Sequence, residues 1–147
     1  MGGHPYWYFV PYEPDTAAAL AKLRKREFEA GRYNPVISFL EFSEPAFSQQ
    51  QPGPAHDSID DAIEAAAEDG TRSILDIKKI AKTAAYCASC PLAATRLREL
   101  YSTDKPSRKL LERHEFFGEI DRGKCVHVVA YKDDEPHEIM FAGYSYD

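Results

Sequence analysis

Three cysteines and one histidine carry the most specific chemistry in the chain. Cys87-Ala88-Ser89-Cys90 is a C-x-x-C motif followed at once by Pro91. At the start of a helix, such a pair would have its thiolate stabilised by unsatisfied backbone N–H groups and the helix dipole, which is the physics of dithiol oxidoreductases. Cys125 and His127 are separated by one residue, so in a strand both side chains leave the same face. Three sulfurs and an imidazole make a soft tetrahedral donor set that zinc accepts. Cys87, Cys90, Cys125 and His127 are therefore the expected metal ligands if a metal is bound. The alternative is three buried thiols and a hydrogen-bonded histidine with no cofactor, since cysteine is among the most buried residue types. An odd cysteine count argues against a disulfide framework.

A second set pairs arginine with aromatic residues in turn-like segments. Trp7 follows His4-Pro5-Tyr6, Arg32 and Tyr33 follow Gly31, and Arg72 follows Gly70-Thr71. Arginine beside an aromatic ring suits recognition of a carboxylate, a phosphate or a protein surface. Trp7, Arg32, Tyr33 and Arg72 are the expected binding residues. Convergence of Arg32, Tyr33 and Arg72 in one cleft would mark a small-molecule enzyme. Structural roles compete at each position: glycines 31 and 70 cap helices, and Arg72 has Asp69 and Asp76 for partners. Acid–base chemistry has weaker support. Asp57, Asp60, Asp61, Glu64, Glu68 and Asp69 form an acidic run that a helix dipole and a solvated face explain, and no G-x-S-x-G, H-E-x-x-H or glycine-rich phosphate loop occurs.

The elements that must position these residues are legible in outline. Trp7–Val10 reads as a short strand closed by Pro11, and Asp15 or Thr16 caps a helix that Gly31 ends. Val36–Leu40 is a second strand candidate, and residues 43–57, rich in proline and glutamine, read as a long loop. Ser58-Ile59-Asp60-Asp61 resembles a capping box, opening a helix that Gly70 stops. Residues 73–80 alternate imperfectly and lean to a strand. Pro91 sits where a helix through Leu97 and Tyr101 could begin, and Asp104-Lys105-Pro106 restarts another that turns Leu110, Phe117 and His114 inward. Cys125–Tyr131 and Ile139–Tyr144, joined by Asp133-Asp134-Glu135-Pro136, form a hairpin, apolar on both faces and so interior to its sheet. The expectation is a single α+β domain over residues 1–147, with helices packed on a mixed or antiparallel sheet and a C-terminal β-hairpin.

The 147 residues carry a net charge of −6, and 44% are hydrophobic, enough to bury a core. The acidic balance argues against nucleic acid as a partner, and no apolar run approaches the ~20 residues of a membrane span. The basic run Lys22, Arg24, Lys25 and Arg26, with Glu27 and Glu29 beside it, reads as a solvated helix face. Absence of a visible leader points to the cytoplasm. The expected class is a non-enzymatic protein-binding module that presents tyrosines and its acidic helix to a basic protein partner. A zinc or thiol-redox domain and an Arg/Tyr-lined enzyme are the alternatives.

Overall fold

The computed structural model describes residues 3–34, 56–68 and 70–145. The expected strand Val36–Leu40 and nearly all of the proline-rich loop lie outside these residues. Among those described, five strands form one mixed sheet in the order β1-β5-β4-β3-β2. β1 is Pro5–Pro11, β2 Lys79–Ile80, β3 Ala88–Pro91, β4 Cys125–Lys132 and β5 Glu135–Tyr144. β1 and β4 flank β5 antiparallel, whereas β3 pairs parallel with both β4 and β2. The α+β class and the terminal hairpin match the expectation, and β4 and β5 are interior strands.

Alternation along the strands sorts side chains to two faces, and each face has its own core. Tyr6, Tyr8 and Val10 of β1, Cys125 of β4, and Ile139 and Phe141 of β5 pack beneath α1, Thr16–Ala30, with Leu20 and Leu23. Val126, Val128 and Ala130, with Met140 and Ala142, face the other way. They are covered by α3 (Ala94–Tyr101), α4 (Arg108–Leu111) and the 3-10 helix Glu115–Glu119, through Leu97, Tyr101, Leu111 and Phe116. A smaller third cluster joins Tyr33, Ala62 and Leu75 near α2, Ile59–Ala65.

Several local signals act as anticipated. The Asp15 carboxylate accepts from the Ala18 N–H at the start of α1, and Gly31 ends it in the left-handed region at φ 73°. Ser58 caps α2 by accepting from the Asp61 N–H. Elsewhere tertiary packing overrides local pattern. Residues 73–80 form a 3-10 turn, Ile74–Asp76, and only the two-residue strand β2. Ile74, Leu75 and Ile77 are all fully buried, so no single face defines them. Pro91 ends β3 instead of opening a helix, and α3 begins at Ala94. The helix expected after Pro106 is a single turn capped by Ser107, followed by the 3-10 helix. There Leu111 and Phe116 are fully buried, and Leu110 and Phe117 are only partly so.

Candidate functional site: a groove along the first strand

A cavity of about 570 Å³ is lined by Trp7, Tyr8, Phe9, Arg26, Arg32, Arg108, Glu112 and His114. β1 stands at one end of the sheet order. Arg26 and Arg32 come from the α1 layer, while Arg108, Glu112 and His114 come from the α4 layer. A recess that draws on both layers and on β1 runs along that strand, the last in the order of the described sheet. Trp7 and Phe9, which point to the α4 face, give it an aromatic wall.

The guanidiniums are held in place by carboxylates. Glu27 lies on α1 one turn beyond Leu23 and is fully buried. Its carboxylate accepts from Arg32 Nε at 2.9 Å and Arg32 Nη2 at 2.8 Å, and from Arg26 Nε at 2.9 Å. Arg32 is thereby held above its ordinary value, chiefly by the hydrogen bonds to Glu27. Burial, with the nearby Glu27 charge, pushes the Tyr8 phenol far up, so it stays protonated. Each guanidinium has five N–H donors. The Glu27 bonds occupy only some of them, and two cations share one anion. On the opposite wall, Arg108 donates to Glu112 at 2.8 Å and to Glu138 at 3.0 Å. Its guanidinium carbon lies 4.3 Å from the centroid of the Phe9 ring.

His114 adopts a left-handed backbone, φ 63°, which is uncommon for a non-glycine residue and is often found at functional sites. Its ring meets Trp7 edge-on at 4.5 Å and stacks on Phe117 at 5.6 Å. Burial lowers its pKa, so the imidazole is neutral near pH 7. Chemically the groove offers guanidinium donors beside flat aromatic faces, a combination suited to an anionic group carried on an apolar or planar body.

The expected binding residues divide. Trp7 and Arg32 line this groove together. Tyr33 does not: it is fully buried, stacked on Phe28 at 5.7 Å, with its hydroxyl 2.9 Å from Nδ1 of His56. Arg72 lies in the tight turn whose Thr71 N–H and hydroxyl bond to the buried Asp76, and it is not part of the groove. Arg32, Tyr33 and Arg72 thus do not converge. Arg26, Arg108 and His114 were missed by sequence reasoning. The spacing of Leu20, Leu23 and Glu27 was the available signal for part of this arrangement, because it places a carboxylate in the apolar stripe of α1, where it needs a cation.

The expected metal ligands do not come together either. Among the described residues, no three His, Cys, Asp or Glu side chains form a group able to hold a metal ion. Sheet geometry explains this. Cys90 pairs in register with Val126 and joins the α4-side core, while Cys125 joins the α1-side core. Their sulfurs therefore leave opposite faces. His127 shares a hydrogen bond of 2.8 Å with the Ser89 hydroxyl. Cys87 occupies a left-handed turn ahead of β3, not a helix N-terminus. Burial raises the Cys90 thiol and pushes Cys125 to about 12, the reverse of an activated thiolate.

The chain matches no protein-family model, and neither a curated protein nor a solved structure resembles it significantly.

Proposed function

We propose that the chain is a binding module whose ligand-carrying surface is the groove along β1, and that its ligand presents a carboxylate or phosphate on a flat or apolar body. The observation carrying this reading is that arginines from both layers of the fold meet beside Trp7 and Phe9 in one recess. It keeps the binding-module class expected from the sequence but changes the contact surface. Tyr6, Tyr8, Tyr33 and Tyr101 are buried, whereas the exposed Tyr12 and Tyr86 do not line the groove.

Trp7 is the only tryptophan, so its fluorescence reports on the groove without background. Titration with phenyl phosphate should quench or shift that emission, and phenylethylammonium should not. Arg108→Gln should weaken phenyl phosphate roughly tenfold, the scale of one charge-assisted hydrogen bond. The melting temperature should barely move, because both its ion pairs are solvent-exposed on the arginine side. An emission unmoved by millimolar phenyl phosphate, or moved equally by the cation, would sink the proposal.

A second reading has its own observation. A recess of about 420 Å³ beside α2 is lined by three carboxylates, Glu64, Glu68 and Asp76, against one cation, Lys78. This is where a basic protein partner would place a lysine or arginine. Glu64→Lys with Glu68→Lys should abolish such binding and leave the phenyl phosphate response intact.

A further inference from the structure

The groove has a neighbour. A second recess of about 400 Å³ lies between α4 and the β4–β5 hairpin, lined by Lys109, Tyr131, Lys132, His137 and Glu138, and it shares Arg108 with the first. Its charge balance differs from that of the whole chain. The nearby carboxylates Glu112 and Glu138 are both engaged by Arg108. Lys109, Lys132 and His137 take part in no ion pair among the described residues. Lys105 adds a further cation 5.8 Å above the Tyr131 ring. In the groove itself, Arg26 and Arg32 share the single carboxylate of Glu27. In a chain of net charge −6, the two recesses are thus lined by five Lys or Arg side chains, Arg26, Arg32, Arg108, Lys109 and Lys132, against two carboxylates, Glu112 and Glu138.

We propose that groove and recess together receive an extended acidic peptide segment of a protein partner, passing over Arg108 from one to the other. This rests on the reading of the groove as an anion site and specifies its ligand. Each recess alone has the volume of a small-ligand pocket. A ligand that uses both must be extended, and roughly eight residues of extended peptide reach about 27 Å. An aromatic or aliphatic side chain of the peptide fits against Trp7 and Phe9. One carboxylate meets Arg26 and Arg32, and another meets Lys109 and Lys132. Nucleic acid fits less well, because its phosphates form an unbroken line of charge. Glu112 and Glu138 interrupt the surface, and Asp133, Asp134 and Glu135 follow Lys132 at the hairpin turn. A peptide can place carboxylates only where the cations are.

The test uses fluorescence anisotropy of a labelled peptide of about eight residues, one phenylalanine followed by alternating glutamate and serine. The comparison variant is Lys109→Glu with Lys132→Glu, both exposed and outside the groove, with little expected effect on stability. The peptide should bind about tenfold tighter than phenyl phosphate, and the double variant should lose about that factor for the peptide while its Trp7 response to phenyl phosphate is unchanged. If phenyl phosphate binds but the peptide gains nothing, or the charge reversal leaves peptide affinity intact, the proposal falls and the groove reading stands. If neither binds, both fall. Tighter binding of a single-stranded oligonucleotide, or a concentration-dependent dimer that competes with the peptide, would also overturn it.

Discussion

Glu27 couples the stability of α1 to the groove. A fully buried carboxylate is tolerated only while cations neutralise it, and removing one partner of such a pair costs about 3–5 kcal/mol. Arg32 makes two of the three bonds and its side chain is 17% exposed, against 44% for Arg26. Arg32→Ala should therefore destabilise far more than Arg26→Ala, as the two urea midpoints will show. His127 sets a pH limit. Burial holds its folded pKa at about 4 against an ordinary 6.5, so between those values the unfolded chain takes up a proton that the folded chain refuses. Stability from this residue is complete above pH 6.5 and is lost as pH falls toward 4, by up to about 3 kcal/mol. His127→Gln should flatten the melting temperature across that interval. Thiol labelling should separate the cysteines: the partly exposed Cys87 reacts first, while buried Cys90 and Cys125 wait for opening. Residue identities were readable in the sequence, but their faces were not. The spacing of Cys125 and His127 correctly put them on one face, whereas nothing local revealed that β3 would turn Cys90 to the other.

Among the elements, the β4–β5 hairpin was the easiest to foresee, since two apolar runs flank an acidic turn. Its geometry demands more than its sequence supplies. Asp133 and Asp134, both at positive φ (53° and 62°), form the two-residue loop between Lys132 and Glu135. Glycine carries no penalty there, so Asp134→Gly should stabilise the protein by about 0.5–1 kcal/mol, measured by denaturant midpoint. The opposite holds at Gly143, where β5 is flanked closely on both sides. A Cβ there would lie 2.6 Å from the Lys124 carbonyl oxygen and 2.6 Å from the Tyr6 hydroxyl. Gly143→Ala should push β5 away from its neighbours and lower the melting temperature by several degrees. Short elements were the hard ones. β2, β3 and α4 are too brief for a period to show, and they exist because long-range pairing and packing hold them.

For the whole molecule, the class was legible and the topology was not. Helical and strand-like runs in alternation, ending in two adjacent strands, imply α+β whatever their order. That β1 would join the far side of β5, and that helices would cover both faces, depends on pairings between residues far apart in sequence. The groove is a product of that topology. Arg32 and Arg108 line one recess because β1, last in the order of the described sheet, has one helical layer on each side. A variant that unseats β1 should lose the proposed phenyl phosphate response and native near-ultraviolet circular dichroism together.

The pairing of β1 with β5 also bears on how the chain is made. Pro5–Pro11 is paired with strand residues more than a hundred positions later. At about 5–20 residues per second, the ribosome emits β5 on the order of 6–25 s after β1. During that interval Tyr6, Trp7, Tyr8 and Phe9 form an aromatic segment whose native partner does not yet exist. The prolines at its two ends, which cannot donate a backbone hydrogen bond, limit how far another nascent chain could extend a ladder along it. Yield on synthesis should therefore depend on holdase chaperones that bind aromatic segments, even if the finished protein refolds unaided at high dilution.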